Sequence, residues 1–461
     1  MPVAPNSAEA RDIAYHIHGQ TDLKAHEEKG PTIISRGDGV HVYNEDGKEF
    51  IEGLAGLWSV SLGFNEPRLV DAATKQLREL PYYHTFAHKT APPVIDLAEK
   101  LVGIAPEGLG KVVFQNSGSE AVDTAMKFIW YYHNAIGKPE KKKIIARENA
   151  YHGTGIASAS LTGLARMHLA FDLPVTDRVL RTDCPHFYKY GEDGETEEAF
   201  ATRCANNLEQ LILDEDPDTV AAFFAEPVMG AGGVIVPAAT YFEKVQAVLK
   251  KYDVLMVADE VICGFGRTSN MWGSQTFNIK PDLLTCAKAL SSSYLPISAV
   301  LISDELYAPI RDQSGELGGF SHGYTYSGHP VPAAVALETL KIYEERNIVG
   351  HVQKVGPIMQ AGLREFADHP LVGEVRGVGL LAGVEVMADG ANRQCFDPAA
   401  KVGPKIQAFC EENGLLIRAM GDSIGFCPPL IIDEATIEKM LGQFGKSLDQ
   451  GLDWARQEGL A

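Results

Sequence analysis

Cysteine is scarce in this chain. Seven are scattered over 461 residues, an odd number, and no two form a C-x-x-C pair. A disulfide scaffold is therefore excluded, and several cysteines (Cys286 in LLTCAKAL, for instance) lie in apolar runs that read as buried thiols of a reduced, intracellular protein. No apolar run approaches the roughly 18 residues that a membrane-spanning helix needs, so no membrane segment is expected. The first residues, MPVAPNSAEARD, lack a basic stretch followed by an apolar core, so no signal peptide is expected and the cytoplasm is the expected location. Positive charge is also in deficit. There are 41 Lys and Arg against 61 Asp and Glu, a formal charge of −20 with a pI near 5.1. Such a balance argues against nucleic acid and against a polybasic membrane surface as partners. Internal repeats, low-complexity stretches and the phosphate loop GxxxxGK[ST] are absent as well.

What is present is ordinary globular material, 45% hydrophobic and 22% charged. The length suits one large α/β domain with a smaller companion, or about three domain-sized units. Residues up to about Arg36 are polar and partly helical. Two short alternating runs flank the turn Asn44-Glu45-Asp46-Gly47. From about residue 100 strands and helices alternate: strands at 111–114, 143–146, 220–225, 254–258, 283–286 and 299–303, with helices at 119–134 and 241–250. Buried strands that alternate with helices predict an α/β fold whose sheet is largely parallel and covered on both faces. After His329-Pro330 long helices (333–345, 352–367), the strand-like VGEVRGVGLLAGVEV, a helix at 401–412 and a last helix from Asp433 predict a second, α+β unit, with the boundary near 330.

Several candidate groups fall just past strand ends, where open α/β sheets bind ligands. Ser117-Gly118-Ser119-Glu120 follows KVVF and opens a helix. Its S-x-x-E pattern fits a capping box, and the free N–H groups of such a start suit a phosphate. Alone, this is a plain helix cap. Asp259 and Glu260 follow an apolar strand, where they suit a metal, a base or a partner for a cationic nitrogen; without His or Cys at ligand spacing no metal is expected. Lys288 follows LLTCA. A partly desolvated lysine there has a lowered pKa and a usable amine. Tyr151-His152 and Glu226 sit past two further strands. Together, an anion cup, an aromatic, an acid and a lysine at one sheet edge suit a flat phosphorylated aldehyde held as an imine, pyridoxal phosphate.

NSGSEAVDTAMK, AYHGTG, AEPVMG, ADEVICGFGRTS, PDLLTCAKALSSSYLP and SHGYTYSGHP, in this order, resemble the class III pyridoxal-phosphate aminotransferases, closest to the ω-amino acid:pyruvate or amine:pyruvate branch. The resemblance covers nearly the whole chain. It implies fold type I, with a large, mostly parallel sheet of the seven-stranded type at 66–330 and a smaller α+β domain made of 331–461 with help from 1–65. Residue by residue, it implies that Lys288 holds the cofactor and that Asp259 pairs with the ring nitrogen. Val261 would pack under the ring and Tyr151 above it, with His152 and Glu226 beside the cofactor. Ser117, Gly118 and Ser119 would form the phosphate cup, joined by Thr325 from a neighbouring subunit, which makes a homodimer or a tetramer. Leu57, Trp58, Phe86, Tyr151, Phe320 and Arg418 resemble substrate-pocket residues, with Arg418 pairing with a carboxylate and swinging away for an apolar amine.

The activity so implied moves an amino group from a primary amine or ω-amino acid to pyruvate. A 2-oxoglutarate-dependent transaminase and an aminomutase share the same cofactor. A phosphate- or nucleotide-binding α/β protein would use the Ser117 loop but leave Lys288 idle. One departure stands out: where the family commonly has a glycine after the lysine, this chain reads Ser291-Ser292-Ser293 before Tyr294, and serine disfavours positive φ.

Overall fold

The computed structural model describes residue 4 and residues 6–460. Seven strands form its largest sheet, in the spatial order Leu109–Gln115, Ser298–Ser303, Leu283–Cys286, Leu255–Asp259, Val220–Ala225, Lys143–Arg147 and Val179–Thr182. The expected α/β sheet is there, and only Ser298–Ser303 runs against the others. Sequence reading missed Val179–Thr182, a short edge strand whose VLRT pattern is too brief to signal itself.

The central strands are apolar throughout because both faces are covered. Alternate residues point to opposite sides. Ala222, Phe224 and Val257 pack under the helix Gly118–Ala135, whereas Phe223, Ala225 and Met256 pack under Glu197–Asp214 and Tyr241–Lys251.

Two four-stranded sheets lie outside this core. One joins Ile34–Asp38, His41–Asn44 and Glu49–Glu52 to Leu415–Leu416, so the start of the chain pairs with a segment near its end. Asn44 closes the expected turn by accepting from Gly47 N at 3.0 Å, with Gly47 at φ +79°. The other sheet holds Val372–Val378, Leu381–Val386, Arg418–Met420 and Ser423–Phe426. The run VGEVRGVGLLAGVEV is thus a hairpin that turns at Gly379, φ +59°. Proline at the first helical position starts Pro330–Glu345, three residues before the expected start at 333. Among the described residues no helix is long and apolar enough to cross a membrane. The seven cysteines are unpaired, and of them only Cys395 is exposed.

Candidate active site

Five strands deliver their following residues to one edge of the large sheet. Gly118, Ser119, Tyr151, His152, Glu226, Asp259, Val261 and Lys288 line a cavity of about 120 Å³ there, together with Gly153 and Ile262. Most of the candidate residues read from sequence therefore meet in one place.

Asp259 is the last residue of its strand and is buried. Its Oδ2 lies 2.7 Å from His152 Nδ1, and its Oδ1 accepts from Val261 N and Thr285 Oγ1, each at 3.2 Å. The other ring nitrogen of His152, Nε2, is buried and has no partner among the described residues. Glu260 turns the opposite way. It accepts from Gly273 N at 2.9 Å and Ser274 N at 2.5 Å, and burial pushes its carboxyl up to about 7. The two acids are not a solvated pair, because successive residues at a strand end face opposite sides.

Glu226 is buried and accepts from Tyr151 N at 3.0 Å and Gly230 N at 2.9 Å, and burial raises its pKa. Its own carbonyl takes a 2.5 Å bond from Arg147 Nη2. Lys288 is half-buried and lines the cavity, and its side-chain amine has no hydrogen bond or ion pair among the described residues. Burial lowers its pKa, with Asp259 as the largest opposing influence.

At the helix start, Ser117 Oγ accepts from Glu120 N at 3.2 Å. Glu120 does not complete the box on Ser117. Its Oε2 instead takes Asn116 N at 2.8 Å and Asn116 Nδ2 at 2.9 Å. The N–H groups of Gly118 and Ser119 keep no acceptor among the described residues, as an anion site requires. A side chain at Gly118 would press on Val261 Cγ1 at 3.0 Å, so glycine there lets helix and cavity floor meet.

The serine loop keeps the turn that glycine would ease. Lys288, Ser292 and Ser293 take φ of +47°, +50° and +58°. Ser292 is held there because its Oγ accepts from Leu62 N at 2.9 Å.

The substrate candidates divide. Trp58 is buried beside Ile262 and Met420, and Gly425 leaves room for its ring. Arg418 is half-buried on the Arg418–Met420 strand, and its guanidinium has no hydrogen bond or ion pair among the described residues. Burial lowers its pKa, Arg166 lowers it further, and Tyr151 opposes them. Leu57 is exposed. Phe86, Phe320 and Thr325 lie apart from Lys288. Phe86 and Phe320 line a second cavity of about 420 Å³ with Lys127 and His322, and the carbonyl of exposed Thr325 is bonded by Tyr82 Oη at 2.6 Å. Sequence reading missed Thr285, Arg147 and Arg166. Thr285 had a signal, since an inward polar residue in an otherwise apolar strand needs a partner; Arg166 had none.

A half-buried lysine, a fixed carboxylate and a helix start at one sheet edge define a pyridoxal-phosphate enzyme of fold type I, and solved relatives have that architecture. The chain belongs to the class III aminotransferases, whose family model, "Aminotransferase class-III", matches residues 23–448. It is 55% identical over 419 residues to gamma aminobutyrate transaminase 3, chloroplastic, of Solanum lycopersicum, covering 91% of this chain and 80% of that one. It is 53% identical over 419 residues to gamma-aminobutyrate transaminase 1, mitochondrial, of Oryza sativa subsp. japonica, covering 91% and 81%. The ω-transaminase of Pseudomonas jessenii in complex with PMP superposes with a TM-score of 0.96 at 51% identity, covering 97% of this chain and 99% of that one. A transaminase solved with L-Ala superposes with a TM-score of 0.90 at 56% identity, covering 93% and 100%.

The protein is thus a transferase that uses pyridoxal phosphate. The residues present fit that cofactor: an unpartnered lysine amine, a carboxylate held by three donors, and free N–H groups at a helix start.

Proposed function

We propose that the protein transfers an amino group from a primary amine or ω-amino acid to pyruvate, giving alanine, in a ping-pong cycle. The observation that carries this reading is Arg418, a guanidinium with no acidic partner among the described residues, close enough to Tyr151 and Arg166 for each to influence its charge. Such a group pairs bidentately with a carboxylate, and both an ω-amino acid and pyruvate have one. The relatives named as gamma-aminobutyrate transaminases and the transaminase solved with L-Ala support the same pairing. So does a thermostable ω-transaminase variant altered at a tryptophan, a phenylalanine and an arginine for synthesis of bulky amines; Trp58, Phe86 and Arg418 are the same residue types.

When bound, pyridoxal phosphate supplies the electron sink for the pair left when a Cα–H bond breaks. The Lys288 amine would move that proton, first as base and then as acid. Asp259, itself held by His152, would face the positive ring nitrogen. Val261 and Tyr151 would hold the ring, with Glu226 fixing the Tyr151 backbone. Ser117, Gly118 and Ser119 would hold the phosphate. Leu57 and Trp58 border the substrate.

Thr325, Phe86 and Phe320 act on the site of a second copy. The exposed aromatics Tyr82, Tyr83, Phe86 and Tyr326 support such a homodimer. Residues 66–330 form the cofactor domain, with 331–461 and 1–65 as the smaller one; the pairing of Leu415–Leu416 with Glu49–Glu52 supports that division. Six buried, unpaired thiols accord with a cytoplasmic location.

Acceptor profiling tests the reading. With a fixed amine donor, pyruvate is consumed fast and 2-oxoglutarate slowly. Pyruvate inert beside rapid 2-oxoglutarate turnover would replace it with a 2-oxoglutarate-dependent transaminase.

A further inference from the structure

We propose that Asp12, His16, His18 and His26 form a site for a divalent transition-metal ion of the zinc class, apart from the aminotransferase centre. The helix Ala8–Tyr15 carries Asp12, and His16 caps its C-terminus, so the two lie four residues apart on one face. His18 follows directly. The chain then returns through Leu23–Lys29, which contributes His26.

All three imidazoles converge on one carboxylate. His16 Nδ1 is 3.1 Å from Asp12 Oδ1, and the Nε2 atoms of His18 and His26 are 2.7 and 3.1 Å from Oδ2. One ligand atom each from Asp12, His16 and His18 all lie within 4.8 Å of one another. The ring of His18 stacks obliquely between the other two, with centroids 4.4 Å from His16 and 4.2 Å from His26. In a tetrahedral zinc site with bonds near 2.0–2.1 Å, neighbouring ligand atoms are about 3.3 Å apart. Asp12, His16 and His18 already gather within reach of that spacing, and His26 Nε2 approaches the same carboxylate, so side-chain movements admit an ion.

Three imidazoles and one carboxylate select zinc, copper or nickel over magnesium or calcium, which prefer oxygen-only shells. The His26 side chain is 8% exposed and that of His16 66%, so the cluster has a closed floor and an open entrance. Four protein ligands fill a tetrahedral shell, which makes the role structural rather than catalytic. The ion ties the two N-terminal helices together. The loop between them holds Gln20, whose Nε2 lies 3.5 Å from Met167 Sδ, next in sequence to Arg166. The expectation of no metal came from the acidic pair at Asp259; the pattern D-x3-H-x-H-x7-H went unread.

The test is zinc titration of the untagged, pyridoxal-phosphate-loaded enzyme against a chromophoric chelator, with metal counted after dialysis. The wild type retains one zinc per subunit. His18→Ala/His26→Ala retains none, at unchanged cofactor content. His16→Ala, at an exposed position that tolerates truncation, weakens zinc binding by about ten-fold or more. A wild type that holds no stoichiometric zinc overturns the proposal. So does binding that persists undiminished in both variants. If the double variant does not fold, His16→Ala alone decides.

Discussion

His152 Nδ1 and Asp259 Oδ2 lie 2.7 Å apart, both buried, at the floor of the cavity that Lys288 lines. In the neutral ring Nδ1–H donates to the carboxylate and fixes the tautomer. The histidine orients the acid, and the acid does the electrostatic work. Asp259→Asn is expected to lower kcat by about 10²–10³-fold, the size of losing one preorganised electrostatic group. His152→Ala is expected to lower it less and to leave cofactor content intact. Steady-state kinetics with cofactor quantified by absorbance separates the two. A His152 variant as impaired as Asp259→Asn would contradict the division of roles.

Lys288 is held below the ordinary lysine range by burial, against the opposing pull of Asp259. Its free amine is the working form, so activity rises with pH through a pKa lower than that of an exposed lysine. The purified protein is expected to be yellow, with borohydride fixing the colour to the peptide that contains Lys288. Lys288→Ala is expected to lose at least about 10²–10⁴-fold in turnover while still binding the coenzyme. Full activity of that variant would refute the proton-transfer role.

Arg418 has no acidic partner among the described residues, so its loss is felt by substrates that bring one. Hydrogen bonds to a charged group contribute about 1.5–3 kcal/mol, so Arg418→Ala should lower kcat/KM by about 10–150-fold for pyruvate and ω-amino acids. Amines without a carboxylate should be spared. Equal losses for both kinds would sink the swinging-arginine idea.

Ser292 and Ser293 share a left-handed backbone but differ in what their hydroxyls do. Glycine relieves a left-handed residue of roughly 1–2 kcal/mol of strain, while its freedom in the unfolded chain takes back about 0.5–1 kcal/mol. Ser293→Gly should therefore be neutral to slightly stabilising, by up to about 1 kcal/mol, in urea unfolding. Ser292→Gly also strips Leu62 N of its acceptor, a buried loss of about 1–3 kcal/mol, and should destabilise the protein. The opposite order would show that the hydrogen bond is not what holds the turn.

Glu260 titrates near 7 in the folded protein against 4.5 for an ordinary glutamate. The folded state binds the extra proton, so this group's contribution is fully present below 4.5 and is lost as pH rises through 7. Stability curves of wild type and Glu260→Gln, measured across that window, should differ in slope, the wild type falling more steeply. Parallel curves would show that Glu260 is ionised at a normal pKa.

The sequence by itself determined six of the seven strands of the large sheet, the α/β alternation around them, and the residues that follow those strand ends. Those are local matters: apolar runs such as Val220–Ala225 and caps such as Ser117 carry their instructions within a few residues. It also determined the family, because motifs at fixed order along one chain are legible without coordinates. Only the tertiary structure decided that Asp259 faces the cavity while Glu260 turns away, and that Ser292 is stabilised in its turn by Leu62, 230 residues distant. It alone brought Arg166 near Arg418 and three histidines onto Asp12. Each of these depends on packing between segments that the sequence does not place together, and a side chain's partner is set by where the backbone returns, which no local pattern records.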